Sequence, residues 1–236
     1  MPRGNKYLNV LILFMETHIV FDLDGTLSDT QKIHQQIESD FIKTKGIDID
    51  PKTISIKYAG RSPQERIPEL LSSNNINFTQ QEIEDFVIQK DEKIILLLEK
   101  GEIKLITYAS EILDYLYKQN YKIGISSGAC REFIDKFIKY FNLEKIVTAS
   151  TSANEVENKK PHPDVFLSSF DKLEKQYGIP EIKYVIGDGR SDMEGGYKSG
   201  AKTIRLNYQK KIKQNNIYCN FEIKSLKEIQ TIILNN

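Results

Sequence analysis

The sequence predicts an α/β protein in which a doubly wound parallel sheet carries an inserted domain made only of helices. The first observation is a set of continuous apolar runs, because strands that helices cover on both faces need apolar residues at every position. The second is the helical pattern between most of these runs, since repeated strand–helix–strand units form parallel sheets. The third is a long helical stretch after the first run, because a single crossover needs far fewer residues.

Five strands are predicted in the core, with helices between the later ones. The strands cover residues 17–21, 121–126, 145–150, 183–187 and 202–206. The helices between the last four strands cover residues 131–141, 163–177 and 191–200. Gly200 ends the last of these helices, as a glycine commonly does.

The inserted stretch shows three helical patterns and no strand, at residues 30–46, 62–71 and 79–101. Thr79 and Glu82 form a capping-box signature at the start of the third helix. We therefore expect residues 15–29 and 105–236 to form the α/β core. Residues 30–104 are expected to form a helical cap over one end of the sheet.

The composition excludes several classes of partner. The 236-residue chain has 33 Lys plus Arg and 33 Asp plus Glu, so its formal net charge is +0. Proteins that bind nucleic acid or anionic membranes normally show a basic excess, so neither partner is expected. No apolar run reaches the ~20 residues that span a bilayer. Cys130 and Cys219 lie outside any Cys-x-x-Cys motif, which favours two reduced thiols in a cytoplasmic protein. The sequence makes no prediction of the oligomeric state.

Residues 1–14 form an N-terminal extension that has two interpretations. An apolar stretch after Lys6 resembles a signal peptide, but it is short, lacks a small-residue cleavage site and leads directly into the first strand. Met15 begins a segment that contains the complete first strand, so it is also a candidate for the natural start of the protein.

Polar side chains follow the predicted strands at their carboxyl ends, which is where ligands gather in an open α/β sheet. These side chains are, in chain order, Asp22, Asp24, Ser126, Ser127, Lys160, Asp188 and Asp192. Two carboxylates one residue apart disfavour each other's ionisation, so such a pair implies a cation between them or a reaction that uses both. We therefore expect a divalent cation and a lysine to lie among these carboxylates.

Four segments in this order resemble the motifs of the haloacid dehalogenase superfamily of phosphohydrolases. They are DLDGTLSDT at 22–30, ISSGA at 125–129, KPHPDVF at 160–166 and GDGRSD at 187–192. The resemblance is closest to the branch with a helical C1 cap between the first two motifs, which includes β-phosphoglucomutase and phosphoglycolate phosphatase. It covers the chain from residue 17 onward and implies a Rossmann-like core. One departure is the segment 105–113, which replaces a Pro-Gly turn that the family often has.

The resemblance implies a role for each polar residue. Asp22 is expected to attack phosphorus and become an aspartyl-phosphate, and Asp24 to act as general acid and then as general base. Lys160 is expected to neutralise the nucleophile and the phosphoryl oxygens. Ser126 is expected to donate a hydrogen bond to the phosphoryl group, with Ser127 as a second phosphate-binding hydroxyl.

A magnesium ion is the cofactor that the resemblance implies. Its expected ligands are the Asp22 side chain, the Asp188 side chain and the backbone carbonyl of Asp24. Asp192 is expected either to bind the ion directly or to contact one of its ligands. Lys159 lies beside Lys160 and creates a question of register. The family places its lysine directly before a proline, which favours Lys160.

Three residues of the predicted cap are candidates for substrate contact. Arg61 lies in a glycine-bearing loop, where a guanidinium could hold a phosphate or a carboxylate. His34 lies on the first cap helix and Lys90 on the third. An ordinary role, on a solvated helix face or as a polar residue of the core, is the alternative for all three. His18 and His162 are expected to be structural.

The leading hypothesis is a Mg²⁺-dependent phosphatase that acts on a small phosphorylated metabolite, such as a sugar phosphate or a phosphoglycolate-like compound. A phosphosugar mutase of the β-phosphoglucomutase type is the nearest alternative. A non-catalytic module that reuses the fold is an alternative of another class. Such a module would be free to lose the motif aspartates and the lysine, and this chain keeps them.

Overall fold

The computed structural model describes residues 16–57, 63–208 and 217–235, without the side chains of residues 55–57. Residues 1–14, Met15 and Arg61 lie outside the described residues. The interpretations of the N-terminal extension and of Arg61 therefore stay predictions.

Within the part of the chain that the structure describes, six parallel strands form one sheet. They are β1 (Thr17–Phe21), β2 (Lys122–Ser127), β3 (Val147–Ser152), β4 (Ile182–Gly187), β5 (Lys202–Leu206) and β6 (Phe221–Ile223). Their order is β3-β2-β1-β4-β5-β6, and every neighbouring pair is parallel. The order reverses beside β1, which opens a crevice at the carboxyl ends of the strands.

Nine α-helices occur within the described residues. They are α1 (Gln31–Thr44), α2 (Pro51–Lys57), α3 (Pro63–Ser73), α4 (Gln80–Glu99), α5 (Ala109–Lys118), α6 (Arg131–Tyr140), α7 (Asp164–Tyr177), α8 (Arg190–Lys198) and α9 (Ile229–Leu234). The first four lie between β1 and the rest of the core, as expected for an inserted helical cap. The predicted fold class, a Rossmann-like sheet with helices on both faces and a helical cap, is confirmed.

The two faces of the sheet are both apolar, which explains why the strands read as continuous hydrophobic runs. Ile19 and Tyr184 belong to one buried cluster, and Val20 and Val185 belong to another. Successive side chains of a strand point to opposite faces, so alternate residues of β1 enter different halves of the core. Helix α7 covers the second face with Phe166, among other residues.

Strand β6 and helices α2, α5 and α9 have no counterpart among the elements predicted from the sequence. Strand β6 has only three residues and forms an edge of the sheet, so its apolar run is too short to give a pattern. Helix α2 has seven residues and no repeated apolar period. Strand β3 begins two residues later than predicted, at Val147, and its pairing with β2 is irregular beside Ile123.

The helices of the cap are joined by a buried ion pair network and an aromatic contact. Glu38 of α1 accepts hydrogen bonds from Arg66 of α3 over 2.5 and 2.8 Å, and Lys90 of α4 lies 2.9 Å from the same carboxylate. The rings of Phe41 and Phe86 stack with their centroids 4.0 Å apart. The predicted capping box of α4 is confirmed: Thr79 and Glu82 bond to each other's backbone N–H groups.

Tyr108, just before α5, lies in the segment that replaces the family's Pro-Gly turn, and its φ is 69°. This left-handed conformation costs an L-residue about 1–2 kcal/mol. Glycine relieves this strain but also makes the unfolded chain more flexible, which lowers stability. We expect the net effect of Tyr108→Gly to be a rise of up to about 1 kcal/mol in the free energy of unfolding. Urea denaturation measures the change. Tyr108→Ala is the control because it removes the ring and keeps the strain; equal stability of the two variants would contradict the explanation.

The described residues contain no helix that combines the length and apolar character needed to cross a bilayer. Cys130 and Cys219 are both free thiols, as expected. His18 is buried within β1, which agrees with a structural role.

Candidate active site

Side chains from several segments meet at the carboxyl edge of the sheet beside β1. Asp22 directly follows β1, Ser127 ends β2, and Asp188 directly follows β4. The backbone N–H of Asp22 donates to the carbonyl of Ile186 over 2.8 Å, so the pairing of β1 with β4 continues to the nucleophile candidate. Lys160 enters from the loop between β3 and α7. The predicted convergence of these residues is thus seen in the structure.

Asp22 is buried and makes two side-chain hydrogen bonds. Its Oδ1 accepts from Lys160 Nζ over 2.7 Å and its Oδ2 from Thr26 Oγ1 over 3.1 Å. Burial raises the pKa of Asp22 well above its usual range, and the Asp192 carboxylate raises it further, while Lys160 acts in the opposite direction. A carboxylate has to be ionised to attack phosphorus, so Asp22 needs nearby positive charge to offset the effect of burial on its pKa.

Lys160 uses all three of its ammonium donors within the site. Its Nζ donates to Asp22 Oδ1 over 2.7 Å, to Asp192 Oδ1 over 2.8 Å and to the Ser126 carbonyl over 2.8 Å. The centre of the Phe166 ring lies 4.8 Å from Nζ. Burial lowers the pKa of Lys160, but the two carboxylates raise it by more, so the ammonium stays charged. Lys160 therefore places a permanent positive charge at a defined position beside Asp22.

Asp22, Asp188 and Asp192 form a buried carboxylate trio, with one oxygen from each lying within 4.8 Å of the others. Asp192 also accepts from the backbone N–H of Gly189 over 2.9 Å at the start of α8. A Cβ at Gly187 would lie 2.4 Å from the Asp192 Cβ, so only glycine allows this close approach. The end of β4 and the first turn of α8 therefore hold the trio together.

The carboxylate trio fits a hard divalent cation. With all three acids ionised, three negative charges lie close together beside the ammonium group of Lys160, and buried charge without compensation is costly. The donor atoms are all carboxylate oxygens, which Mg²⁺ prefers. Gln31 Nε2 donates to Asp188 Oδ2 over 2.5 Å and orients this carboxylate.

Asp24 is held by residues from the start of the cap. Its Oδ1 accepts from Thr30 Oγ1 over 2.5 Å and lies 3.1 Å from His34 Nε2, while Ser127 Oγ lies 3.4 Å from Oδ2. Burial raises the pKa of Asp24, but His34 and Thr30, with a contribution from Lys90, lower it to about 2. Asp24 is therefore a carboxylate in this arrangement.

The turn between Asp22 and α1 depends on Gly25. Its φ is 86°, and its N–H donates to the Ser28 carbonyl over 2.8 Å. A Cβ at this position would lie 2.4 Å from Gln31 Nε2, the atom that reaches Asp188. The glycine thus allows both the tight turn and the contact between α1 and the carboxylate trio.

The two serines at the end of β2 face different surroundings, because successive strand residues point to opposite sides. Ser127 faces Asp24, and its Oγ also accepts from the N–H of Ala129 over 3.0 Å. Ser126 Oγ instead donates to the Val165 carbonyl beneath the sheet edge, and only its backbone carbonyl reaches Lys160. This corrects the expectation for Ser126: its hydroxyl points into the core, and Ser127 is the better candidate for a phosphate-binding hydroxyl.

The cap candidates fall into three cases. His34 lies in the site, but its contact is Asp24. Lys90 is buried and lies 2.9 Å from the Glu38 carboxylate, and its charge also helps to lower the pKa of Asp24, so a contact between Lys90 and substrate stays a prediction. Arg61 lies outside the described residues. Lys159 is exposed, so the structure answers the question of register in favour of Lys160.

Sequence reasoning missed Thr26, Thr30, Gln31 and Glu38. Thr30 had a visible signal, because a threonine at a helix start normally caps the helix with its hydroxyl. Here that hydroxyl donates to Asp24 and makes no capping bond. Thr26 lies in the same motif as its partner Asp22, four residues away, so the two could have been paired from the sequence. Gln31 and Glu38 had no signal, since their partners lie on segments that only the fold brings close.

Comparison with known proteins shows similar chains. Pyrophosphatase PpaX of Bacillus mycoides is 26% identical over 202 residues, which cover 80% of this chain and 83% of the relative. The crystal structure of CbbY from Rhodobacter sphaeroides with phosphate matches with a TM-score of 0.76 at 18% identity, over 91% of this chain and 96% of that one. A mutant of the same protein contains xylulose-(1,5)bisphosphate and matches with a TM-score of 0.75 at 18% identity, over 89% and 94%.

The β-phosphoglucomutase of Clostridium difficile matches with a TM-score of 0.73 at 22% identity, over 94% of this chain and 98% of that one. At these identities the solved structures show a common fold. The expected enzyme class, a phosphoric monoester hydrolase of the haloacid dehalogenase type, agrees with these relatives. The family model for haloacid dehalogenase-like hydrolases matches residues 19–206, most of the chain, and the protein therefore belongs to this family, with a helical C1 cap.

Proposed function

We propose that the protein is a Mg²⁺-dependent phosphatase that hydrolyses a small phosphorylated metabolite through an aspartyl-phosphate at Asp22. The observation that carries this proposal is the 2.7 Å contact between Lys160 Nζ and Asp22 Oδ1 inside the carboxylate trio. A buried carboxylate that is held by an ammonium, with Asp24 two residues away, suits nucleophilic attack on phosphorus.

In the first step, an Asp22 oxygen forms a bond to phosphorus while the ester bond between phosphorus and the leaving oxygen breaks. Asp24 gives a proton to the leaving oxygen, which departs as an alcohol. Asp24 is ionised in its contact with His34, so this step requires it to be protonated and that contact to loosen when the substrate enters.

In the second step, a water oxygen attacks phosphorus and the bond to Asp22 breaks, which releases inorganic phosphate. Asp24 takes the proton from this water. Lys160 neutralises the phosphoryl oxygens and Ser127 donates a hydrogen bond to them, because charge stabilisation and positioning dominate phosphoryl transfer. Mg²⁺, held by Asp22, the Asp24 carbonyl, Asp188 and Asp192, would supply further positive charge at the phosphoryl oxygens.

The substrate class is proposed from the cap and the relatives. A helical cap excludes water and selects substrates when it closes over a core site. The CbbY structures contain phosphate and a sugar bisphosphate, which supports a small phosphorylated metabolite here. A mutase needs cap cations that hold a second phosphate, and Arg61 is the candidate for this role, so the product of the reaction distinguishes the two enzymes. Two free thiols agree with the proposed cytoplasmic location.

Release of inorganic phosphate tests the proposal. We expect the purified protein to release phosphate from 4-nitrophenyl phosphate with Mg²⁺, to lose this activity with EDTA, and to regain it with excess Mg²⁺. A panel of sugar phosphates and phosphoglycolate then identifies the substrate. Equal rates with and without EDTA would contradict the metal dependence. Conversion of a hexose 1-phosphate to its isomer without phosphate release would identify a mutase.

A further inference from the structure

We infer that Ser126 is a positioning residue for Lys160: its buried hydroxyl fixes helix α7 against the end of β2, the two elements that together hold the lysine. This inference rests on the proposed function, because it uses the role given there to Lys160.

The Ser126 side chain connects β2 to the first turn of α7. Its Oγ donates to the Val165 carbonyl over 2.9 Å and lies 2.8 Å from Ser169 Oγ. Ser126 and Ser169 are completely buried. The Ser126 hydroxyl therefore has its hydrogen-bond partners inside the protein core and does not face the candidate active site.

Ser169 and Thr151 extend this contact into a buried hydroxyl network. Ser169 Oγ lies 3.1 Å from the Ile125 carbonyl of β2 and 2.9 Å from Thr151 Oγ1 of β3. Lys172 Nζ, further along α7, donates to Thr151 Oγ1 over 3.1 Å. The network therefore joins α7 to two adjacent strands at several points along its length.

The position of α7 determines the position of Lys160. Lys160 precedes the start of α7 at Asp164 by one short turn, and the Phe166 ring of α7 lies under its ammonium group. The carbonyl of Ser126 accepts one of the three ammonium hydrogen bonds. Ser126 thus contacts Lys160 through its backbone and the helix beside Lys160 through its side chain.

Packing alone does not require hydroxyl groups at this place. Most of the buried interface between α7 and the sheet is apolar and includes Val20, Val185, Phe166 and Phe170, and an ion pair between Lys183 and Glu174 lies at its edge. Buried hydroxyls are costly unless hydrogen-bonded, and a fully bonded network favours one arrangement of the elements that it joins. Hydrophobic contacts alone would hold α7 against the sheet, whereas the hydrogen bonds of the hydroxyl groups fix the position of α7 along the direction of β2.

A positioning role differs measurably from direct phosphate binding. If Ser126 acts through Lys160, its loss displaces an ammonium group whose charge acts mainly on the transition state, so kcat falls while KM and the inhibition constant of inorganic phosphate stay nearly unchanged. If its hydroxyl touched phosphate, as Ser127 is proposed to do, both constants would rise. Because Ser126 and Ser169 belong to one network, the effects of losing them should not add.

The test compares Ser126→Ala, Ser169→Ala, the double variant and Ser127→Ala, with 4-nitrophenyl phosphate as substrate and inorganic phosphate as inhibitor. We expect each of the first two variants to lower kcat by about 10- to 100-fold, and the double variant to lower it no further. Their phosphate inhibition constants should stay within about twofold of the wild type, and that of Ser127→Ala should rise about tenfold. Ser199→Ala, a buried serine at the end of α8, is the control and should keep its kcat.

Three outcomes overturn the inference while the wild type is active: weaker phosphate inhibition in Ser126→Ala, additive losses in the double variant, or an unchanged kcat with only a lower melting temperature. If Ser126→Ala does not fold, Ser169→Ala alone still decides between a lower and an unchanged kcat. An inactive wild type would contradict the proposed function instead.

Discussion

Asp22→Asn is expected to abolish turnover, with a loss on the order of 10⁴-fold or more in kcat, as found when an enzyme loses its nucleophile. Asparagine has the shape of aspartate and can still accept the hydrogen bond from Thr26, but it cannot form an acyl phosphate under these conditions. The variant also lacks the negative charge that pairs with Lys160. Phosphate release from 4-nitrophenyl phosphate measures the effect.

Asp171→Asn is the matched control, because Asp171 is an exposed aspartate of α7 that pairs only with Lys175 in the described structure. We expect this control to keep the wild-type rate. A circular dichroism spectrum like that of the wild type would show that Asp22→Asn is folded. Wild-type activity in folded Asp22→Asn would exclude Asp22 as the nucleophile.

Lys160→Met is expected to lower kcat/KM by about 10²- to 10³-fold, since it removes a preorganised positive charge from the phosphoryl group. It also leaves Asp22 and Asp192 without their shared ammonium partner. Removal of one partner from a buried ion pair costs about 3 kcal/mol or more, so the free energy of unfolding should fall as well. Methionine keeps most of the volume of the lysine stem.

Lys159→Met is the control for this change because Lys159 is adjacent in sequence and exposed. It should change neither kcat/KM nor stability by more than about 0.5 kcal/mol. Together the two variants test the register of the motif directly. Greater loss of activity in Lys159→Met than in Lys160→Met would show that the wrong lysine has been placed in the site.

The sequence predicted which chain segments meet, because the carboxyl ends of parallel strands share one edge of the sheet. Asp22 and Asp188 could be placed there from the apolar runs that precede them. These two residues meet because β1 and β4 are neighbours in the sheet. The family motifs follow one another along the chain in the same order as the strands that carry them. The backbone topology of the site was therefore predictable.

The direction of individual side chains was not predictable. Ser126 and Ser127 are adjacent and chemically identical, and the choice between them depends on which face of β2 meets α7. The end of a strand gives no pattern that identifies this face, because both faces of the sheet are apolar. The family motif indicated a serine, and the structure indicates which one.

The contacts of the cap depended on tertiary structure for a different reason. Lys90 looks like a solvated cation on a helix, but Glu38, 52 positions earlier in the chain, holds it in a buried ion pair. Helical periodicity predicts which residues share a face of one helix and says nothing about the partner on another helix. His34 likewise could be placed on α1, but its contact with Asp24 requires the turn at Gly25.

Chemical trapping of the phosphorylated residue tests the central claim most directly. The wild-type protein is mixed with Mg²⁺ and 4-nitrophenyl phosphate, quenched in acid within one turnover, and reduced with borohydride, which converts an acyl phosphate of aspartate to homoserine. Peptide mass spectrometry should find homoserine at position 22, and none there in Asp22→Asn. Steady turnover with aspartate intact at position 22, or with homoserine at a different position, would contradict the mechanism.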